Sequence, residues 1–300
     1  MISALNSRPI WVTGAGGLIG NYLVQTAAQC APGFAVAGLT RAQLDLTDSA
    51  AVREAFRRHP PQAVLHCAAL SRTGACESNP ALARKINTEV TALLAELAAA
   101  IPFVFFSSDL VFDGRQGHYA EEAPVNPLMV YGETKVAAEQ IVLANPRHLV
   151  VRTSLNGGVS PTRDRGFNEL LSNAWKAGAK VSLFTDEFRS PIPAAATARA
   201  IWVLLQLGQT GLYHVAGAER LSRWQIGQLL AKRCSELNPK IEPVSLHKFT
   251  GAPRPPDTSL DCAKAQTLLT FPLPRLSECL TLLDPLPASV QSKPSGVREP

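Results

Sequence analysis

The chain has 300 residues, 46% hydrophobic and 18% charged, which excludes a disordered or fibrous protein. A chain of this length buries roughly three-quarters of its unfolded surface, enough for a core without disulfides or metals. The net charge of +5 comes from 29 basic and 24 acidic residues scattered along the sequence with few aromatics, which allows a small anionic ligand but makes no nucleic-acid footprint.

Short apolar runs alternate with helical stretches in the first half. Strands are predicted at Ile10–Thr13, Phe34–Thr40, Ala63–Cys67, Phe103–Ser107 and His148–Thr153. Between them fall helices at Leu18–Cys30, Ser49–Arg58, Pro80–Ala100 and Pro127–Ala144. Strands separated by helices of this length pair in parallel through right-handed crossovers. The fold class is therefore α/β, an open doubly wound parallel sheet of Rossmann type. The second half is less regular, with strands expected at Val181–Thr185 and Leu212–Val215 and helices at Ala194–Leu207 and Ser222–Cys234. Asp284–Pro300 is rich in proline and serine and is expected to be a loosely held tail.

The six cysteines form no C-x-x-C pair and have no histidine at zinc-finger spacing, so no metal site is expected. Met1–Arg8 has no apolar core of signal-peptide length, and runs such as Ala200–Leu205 are too short to span a bilayer. The expectation is a soluble cytoplasmic protein with neither nucleic acid nor membrane as partner.

Gly14, Gly17 and Gly20 follow the first strand and open the first helix, bracketing Leu18 and Ile19. Glycines there allow a tight turn and close approach of the backbone to a pyrophosphate, which meets the free amides of the helix N-terminus. A dinucleotide is the expected ligand. At the end of the second strand, where an NAD site carries an acidic residue, stands Arg41. A guanidinium suits a 2′-phosphate, which favours NADP (NADPH) and leaves NAD as the alternative. The plainer reading of Arg41 is a solvated surface residue.

Tyr131 and Lys135 lie four apart in a helix and share a face. A nearby ammonium is expected to lower the phenol pKa and make the pair a usable acid–base couple. Ser108 ends the fourth strand, at the same carboxyl edge as the glycine loop and the turn after His66. A hydroxyl there can bind a carbonyl oxygen while Tyr131 moves the proton.

Together these residues resemble the extended short-chain dehydrogenase/reductases, most closely the dTDP-4-dehydrorhamnose reductase branch, from about Ile10 to about Ala265. The resemblance is carried by the glycine loop, Leu44–Asp48, His66–Ala69, Asn87, Ser107–Gly114, Tyr131-Gly132, Lys135, Arg152–Ser154 and Arg254–Asp261. It implies Ser108, Tyr131 and Lys135 as the catalytic set. It implies a cofactor wall of Gly14, Gly17, Leu18, Ile19, Gly20, Arg41, Asp45, Leu46, Cys67, Ala68 and Ala69, with Tyr131 and Lys135 at the nicotinamide end. It also implies reduction of a nucleotide-linked 4-keto sugar held by Ser108, Asp109, Leu155 and Arg254, with Arg254 near its phosphates. Arg189 departs from the branch pattern and adds a cation for the substrate pyrophosphate; the plainer reading is a surface or inter-lobe ion pair.

Leu110 and Leu155 stand where the branch has tyrosine and tryptophan, so the sugar pocket is more apolar. The expected division is a cofactor domain over residues 1–155, with returning elements from about 181–216, and a substrate lobe from 156–180 and 217–283. A homodimer is compatible with this reading. A nucleotide-sugar epimerase and a non-catalytic NADP-binding regulatory subunit are the alternatives, because Tyr131 and Lys135 would serve the first equally and do not exclude the second.

Overall fold

The computed structural model describes residues 8–284. The expected tail therefore lies outside the described residues, apart from Asp284. The first half runs β1 (Ile10–Thr13), α1 (Leu18–Cys30), β2 (Val36–Leu39), α2 (Ser49–Arg58) and β3 (Ala63–His66). The predicted long helix over 80–100 is a broken rod. After α3 (Thr73–Ser78) come α4 (Pro80–Arg84), a π-helical turn (Lys85–Glu89) and α5 (Val90–Leu97). Asn79 starts α4 by accepting a hydrogen bond from the Leu82 amide, and Pro80 fills the first helical position.

β4 (Phe103–Ser108), α6 (Val130–Leu143) and β5 (Leu149–Thr153) complete the half. Alternation along β4 sends Val104 and Phe106 to one face of the sheet, against α1. It sends Phe103 and Phe105 to the other, against α5 and α6.

The second half holds β6 (Asn156–Gly157), α7 (Phe167–Lys176), β7 (Lys180–Phe184), β8 (Phe188–Arg189), β9 (Ile192–Pro193) and α8 (Ala194–Gln206). It continues with β10 (Gly211–His214), β11 (Leu221–Ser222), α9 (Arg223–Arg233), β12 (Lys240–Val244) and α10 (Ala263–Gln266).

The central sheet has six parallel strands in the order β2-β1-β3-β4-β5-β10. From β1 the chain moves to β2 on one side and then to β3 on the other. The strand order thus reverses between β1 and β3, which opens a crevice beyond their carboxyl ends. The returning elements are α8, packed on α1, and β10. By contrast β7, which begins the stretch expected to return, pairs with β12 outside the sheet. A separate apolar core of Phe167, Trp175, Leu221, Ile226, Leu230 and Leu276 holds the lobe built from α7, α9 and the C-terminal segment.

Candidate active site

The glycine loop sits in the crevice. Gly14 has φ +71°, and a Cβ there would lie 2.6 Å from the Ala68 amide nitrogen, so only glycine lets β1 exit this close to the turn after β3. The Gly17 amide donates to the Gly14 carbonyl at 2.8 Å, which tightens the turn. Gly17 caps α1 without any side-chain acceptor. The first-turn amides, at Leu18, Ile19 and Gly20, therefore point a positive helix end into open crevice. This cradle fits a pyrophosphate.

Along the same edge, Arg41 is 83% exposed and lies 3.6 Å from Asp45. The Asp45 carboxylate accepts from the amide and hydroxyl of Thr47 at 2.9 and 2.7 Å, and these bonds hold its pKa below the ordinary value. Leu46 packs beside the α2 face of the core. Cys67 follows β3 directly, and burial pushes its thiol pKa up, so it is a small apolar group in the crevice wall.

Ser108, Tyr131 and Lys135 come together at the carboxyl end of β4, all buried. α6 crosses the turn after β4 closely: a Cβ at Gly132 would lie 2.3 Å from the Leu110 carbonyl oxygen. Its first turn is tied down by Glu77, which accepts from the Val130 amide at 2.8 Å. The Ser108 hydroxyl lies beside that of Tyr131. The sequence suggested that Lys135 would draw the phenol pKa down. Instead burial, with the charge of Asp109, raises it, and the Ser108 contact offsets only part of this.

Lys135 Nζ donates to the Phe106 carbonyl at 2.8 Å and sits 5.9 Å from the centre of the Tyr131 ring. Burial lowers its own pKa to about 8. Leu70, Leu110 and Val130 surround the phenol with apolar surface.

A buried network underlies these groups. The Asn87 side chain bonds both backbone groups of Leu70, at 2.8 and 3.1 Å, and donates to Thr134 at 3.0 Å, one turn of α6 from Tyr131. Thr91 gives its hydroxyl proton to the Asn87 carbonyl at 2.7 Å, so it accepts from His66 Nε2 at 3.1 Å. His66 Nδ1 then accepts from the Thr13 hydroxyl at 2.7 Å. The ring is therefore neutral, and burial drops its pKa to about 3.

The expected substrate residues fall into two groups. Asp109 is buried and accepts hydroxyl bonds from Ser108, Ser154 and Thr258 at 3.1, 2.8 and 2.9 Å. Leu155 packs into the edge of the lobe core. Arg189 is buried 3.7 Å from Asp109 and contacts Glu187 at 2.9 Å and the carbonyls of Phe188 and Pro255. Arg254 embraces Glu187 through two bonds, 2.7 and 3.0 Å, with its guanidinium about one-third exposed. Both arginines thus converge on a carboxylate that sequence reasoning passed over. The signal was the Asp186-Glu187 pair, whose second acid stands two residues before Arg189.

Among the described residues, no group of three or more His, Cys, Asp or Glu could hold a metal ion, and no helix is long and apolar enough to cross a membrane.

A doubly wound sheet with an open glycine loop and a Ser–Tyr–Lys group at one edge defines a dinucleotide-binding protein of the extended short-chain dehydrogenase/reductase class. Residues 8–283 match the family model described as the RmlD substrate binding domain, and the chain belongs to that family. It is 31% identical to the probable low-salt glycan biosynthesis reductase Agl14 of Haloferax volcanii, over 91% of this chain and 96% of that one. It is also 29% identical to methionine adenosyltransferase 2 subunit beta of Rattus norvegicus, over 87% of this chain and 83% of that one. Among solved structures it resembles a hypothetical dTDP-4-dehydrorhamnose reductase from Sulfolobus tokodaii, with a TM-score of 0.79 and 30% identity over 89% of this chain and 97% of that one.

Proposed function

We propose that the protein is an NADPH-dependent reductase of a nucleotide-linked 4-keto sugar. The convergence of Ser108, Tyr131 and Lys135 beside the uncapped N-terminus of α1 carries this reading. The dinucleotide supplies the hydride when bound. The cradle residues are Gly14, Gly17, Leu18, Ile19 and Gly20, with Cys67, Ala68 and Ala69 as the wall opposite. Asp45 and Leu46 line the adenine end, and the exposed Arg41 guanidinium, paired only loosely with Asp45 at 3.6 Å, meets a 2′-phosphate.

Tyr131 acts as the proton donor. Its raised pKa keeps the phenol protonated at neutral pH, which is the form a reduction consumes. Ser108 orients the substrate oxygen through its hydroxyl. Lys135 holds the ribose side of the cleft and supplies the cation that stabilises the phenolate left behind. The lobe formed by 156–180 and 217–283 receives the nucleotide sugar. Leu155 faces its sugar and Arg254 its phosphates, while Asp109 and Arg189 brace that wall.

The test is a panel of nucleotide 4-keto sugars assayed with NADPH and NADH by loss of nicotinamide absorbance. Turnover with NADPH that falls at least a hundredfold in Tyr131→Phe is expected. A second reading, a cofactor-binding regulatory subunit, is favoured by the likeness to the methionine adenosyltransferase subunit. It takes over if no sugar on the panel is reduced although NADPH binds.

A further inference from the structure

Resting on that reading, we infer that Arg223 is a substrate-binding residue that receives a phosphate of the nucleotide sugar. Five charges form a chain from the catalytic edge into the lobe: Asp109, Arg189, Glu187, Arg254 and Arg223. Three are cations and two are carboxylates, so the chain has one positive charge in excess.

The geometry shows which cation is the surplus one. Glu187 Oε1 already accepts from Arg189 at 2.9 Å and from Arg254 at 3.0 Å, and Oε2 accepts from Arg254 at 2.7 Å. Arg223 Nε reaches Oε1 only at 3.8 Å, beyond hydrogen-bond distance. Asp109 acts on it only at longer range, with no ion pair between them. Its guanidinium is nevertheless mostly enclosed, with 27% of the side chain exposed. Burial, together with the charges of Arg189 and Arg254, lowers its pKa to about 10.

The position on α9 adds to this. Arg223 is the first residue of the helix, after the Ser222 cap. A cation there faces the positive end of the helix dipole, an arrangement that disfavours the protein alone and favours an anion beside it. Local rules broken in this way mark sites where a ligand restores the balance. Arg223 and Arg254 approach the same carboxylate from partly exposed positions, so their guanidinium groups converge at the lobe surface. The Arg223 fork, with the Nη1 edge of Arg254 that Glu187 leaves unengaged, matches the several oxygens of a diphosphate better than a single hydroxyl or carboxylate.

The test measures binding of dTDP and of UDP to the NADPH-loaded protein by calorimetry, with thymidine and uridine as phosphate-free controls. For whichever nucleotide the wild type binds, Arg223→Gln is expected to weaken affinity roughly tenfold or more. Arg223→Lys should lie between the two, and nucleoside binding and NADPH affinity should be unchanged. If Arg223→Gln binds the diphosphate as wild type does, the inference falls and the reductase reading stands. Loss of NADPH affinity in both variants would likewise overturn it, by showing a structural role. If the wild type binds neither diphosphate and reduces no sugar, the reductase reading falls and takes the inference with it.

Discussion

Lys135 is bound to Phe106 by a 2.8 Å hydrogen bond from its ammonium to the strand carbonyl, inside a site where burial has lowered its pKa to about 8. In the unfolded chain the same group titrates near ~10.4. Between those values the unfolded state binds a proton that the folded state does not, so stability rises with pH across that window. Below about pH 8 the penalty is present in full. The difference between wild type and Lys135→Met should follow this slope, at most about 1.4 kcal/mol per pH unit. Denaturant melts at a series of pH values measure it; parallel curves for the two proteins would contradict the assignment.

The crossing of α6 over the strand exit leaves no room for a side chain at residue 132. Gly132→Ala would place a methyl group 2.3 Å from the Leu110 oxygen and 2.7 Å from Pro127 Cβ. Overpacking of this kind costs about 1–3 kcal/mol. Because Tyr131 is the adjacent residue, kcat should fall more than the loss of stability alone accounts for, measured at a temperature where the variant is folded.

His66 gives a stability signature in acid. Its folded pKa is about 3, well below the ordinary value of 6.5, so stability is lost as pH falls from about 6.5 toward 3. His66→Phe should lack that loss. At neutral pH it should be weaker by about 1–3 kcal/mol, because the Thr13 hydroxyl is left without its acceptor. Thermal melts at pH 7 and pH 4.5 read both effects.

Glu139 and Arg152 form a fully buried two-pronged pair, 2.9 and 2.7 Å, between α6 and β5. Removing one partner strands the other charge, so Glu139→Ala is expected to cost about 3–5 kcal/mol. An equilibrium unfolding curve decides this, and a change under 1 kcal/mol would refute it.

Cofactor choice should turn on Arg41. Arg41→Ala is expected to weaken NADPH several-fold and leave NADH nearly unchanged, by fluorescence titration. Equal losses for both cofactors would mean that the guanidinium does not meet a 2′-phosphate.

The sheet was legible because β1, β3, β4 and β5 are buried on both faces and so read as unbroken apolar runs. The edge that brings Ser108, Tyr131 and Lys135 together was legible because parallel strands gather their carboxyl ends. Other elements gave weaker signals. α7 follows a polar loop, and its start is organised by Glu169, which accepts from Ser160, Arg165 and Gly166; these partners are set by the fold and not by periodicity. β12 contains Pro243 and is half exposed, which hides it from a strand pattern. The direction of the Tyr131 shift was also beyond the sequence, since four-residue spacing shows which groups are neighbours and not how dry their surroundings are.

The π-helical turn over Lys85–Glu89 is where the long rod changes phase, and Asn87 sits at its middle. Each residue of an α-helix advances the face by about 100°. Restoring a regular helix here would require deleting one residue, which would swing everything before the turn by about that angle relative to α5. Asn87 could then no longer meet Leu70 and Thr134 together. The extra residue of this turn thus sets the rotation of Asn87 toward Leu70 and Thr134.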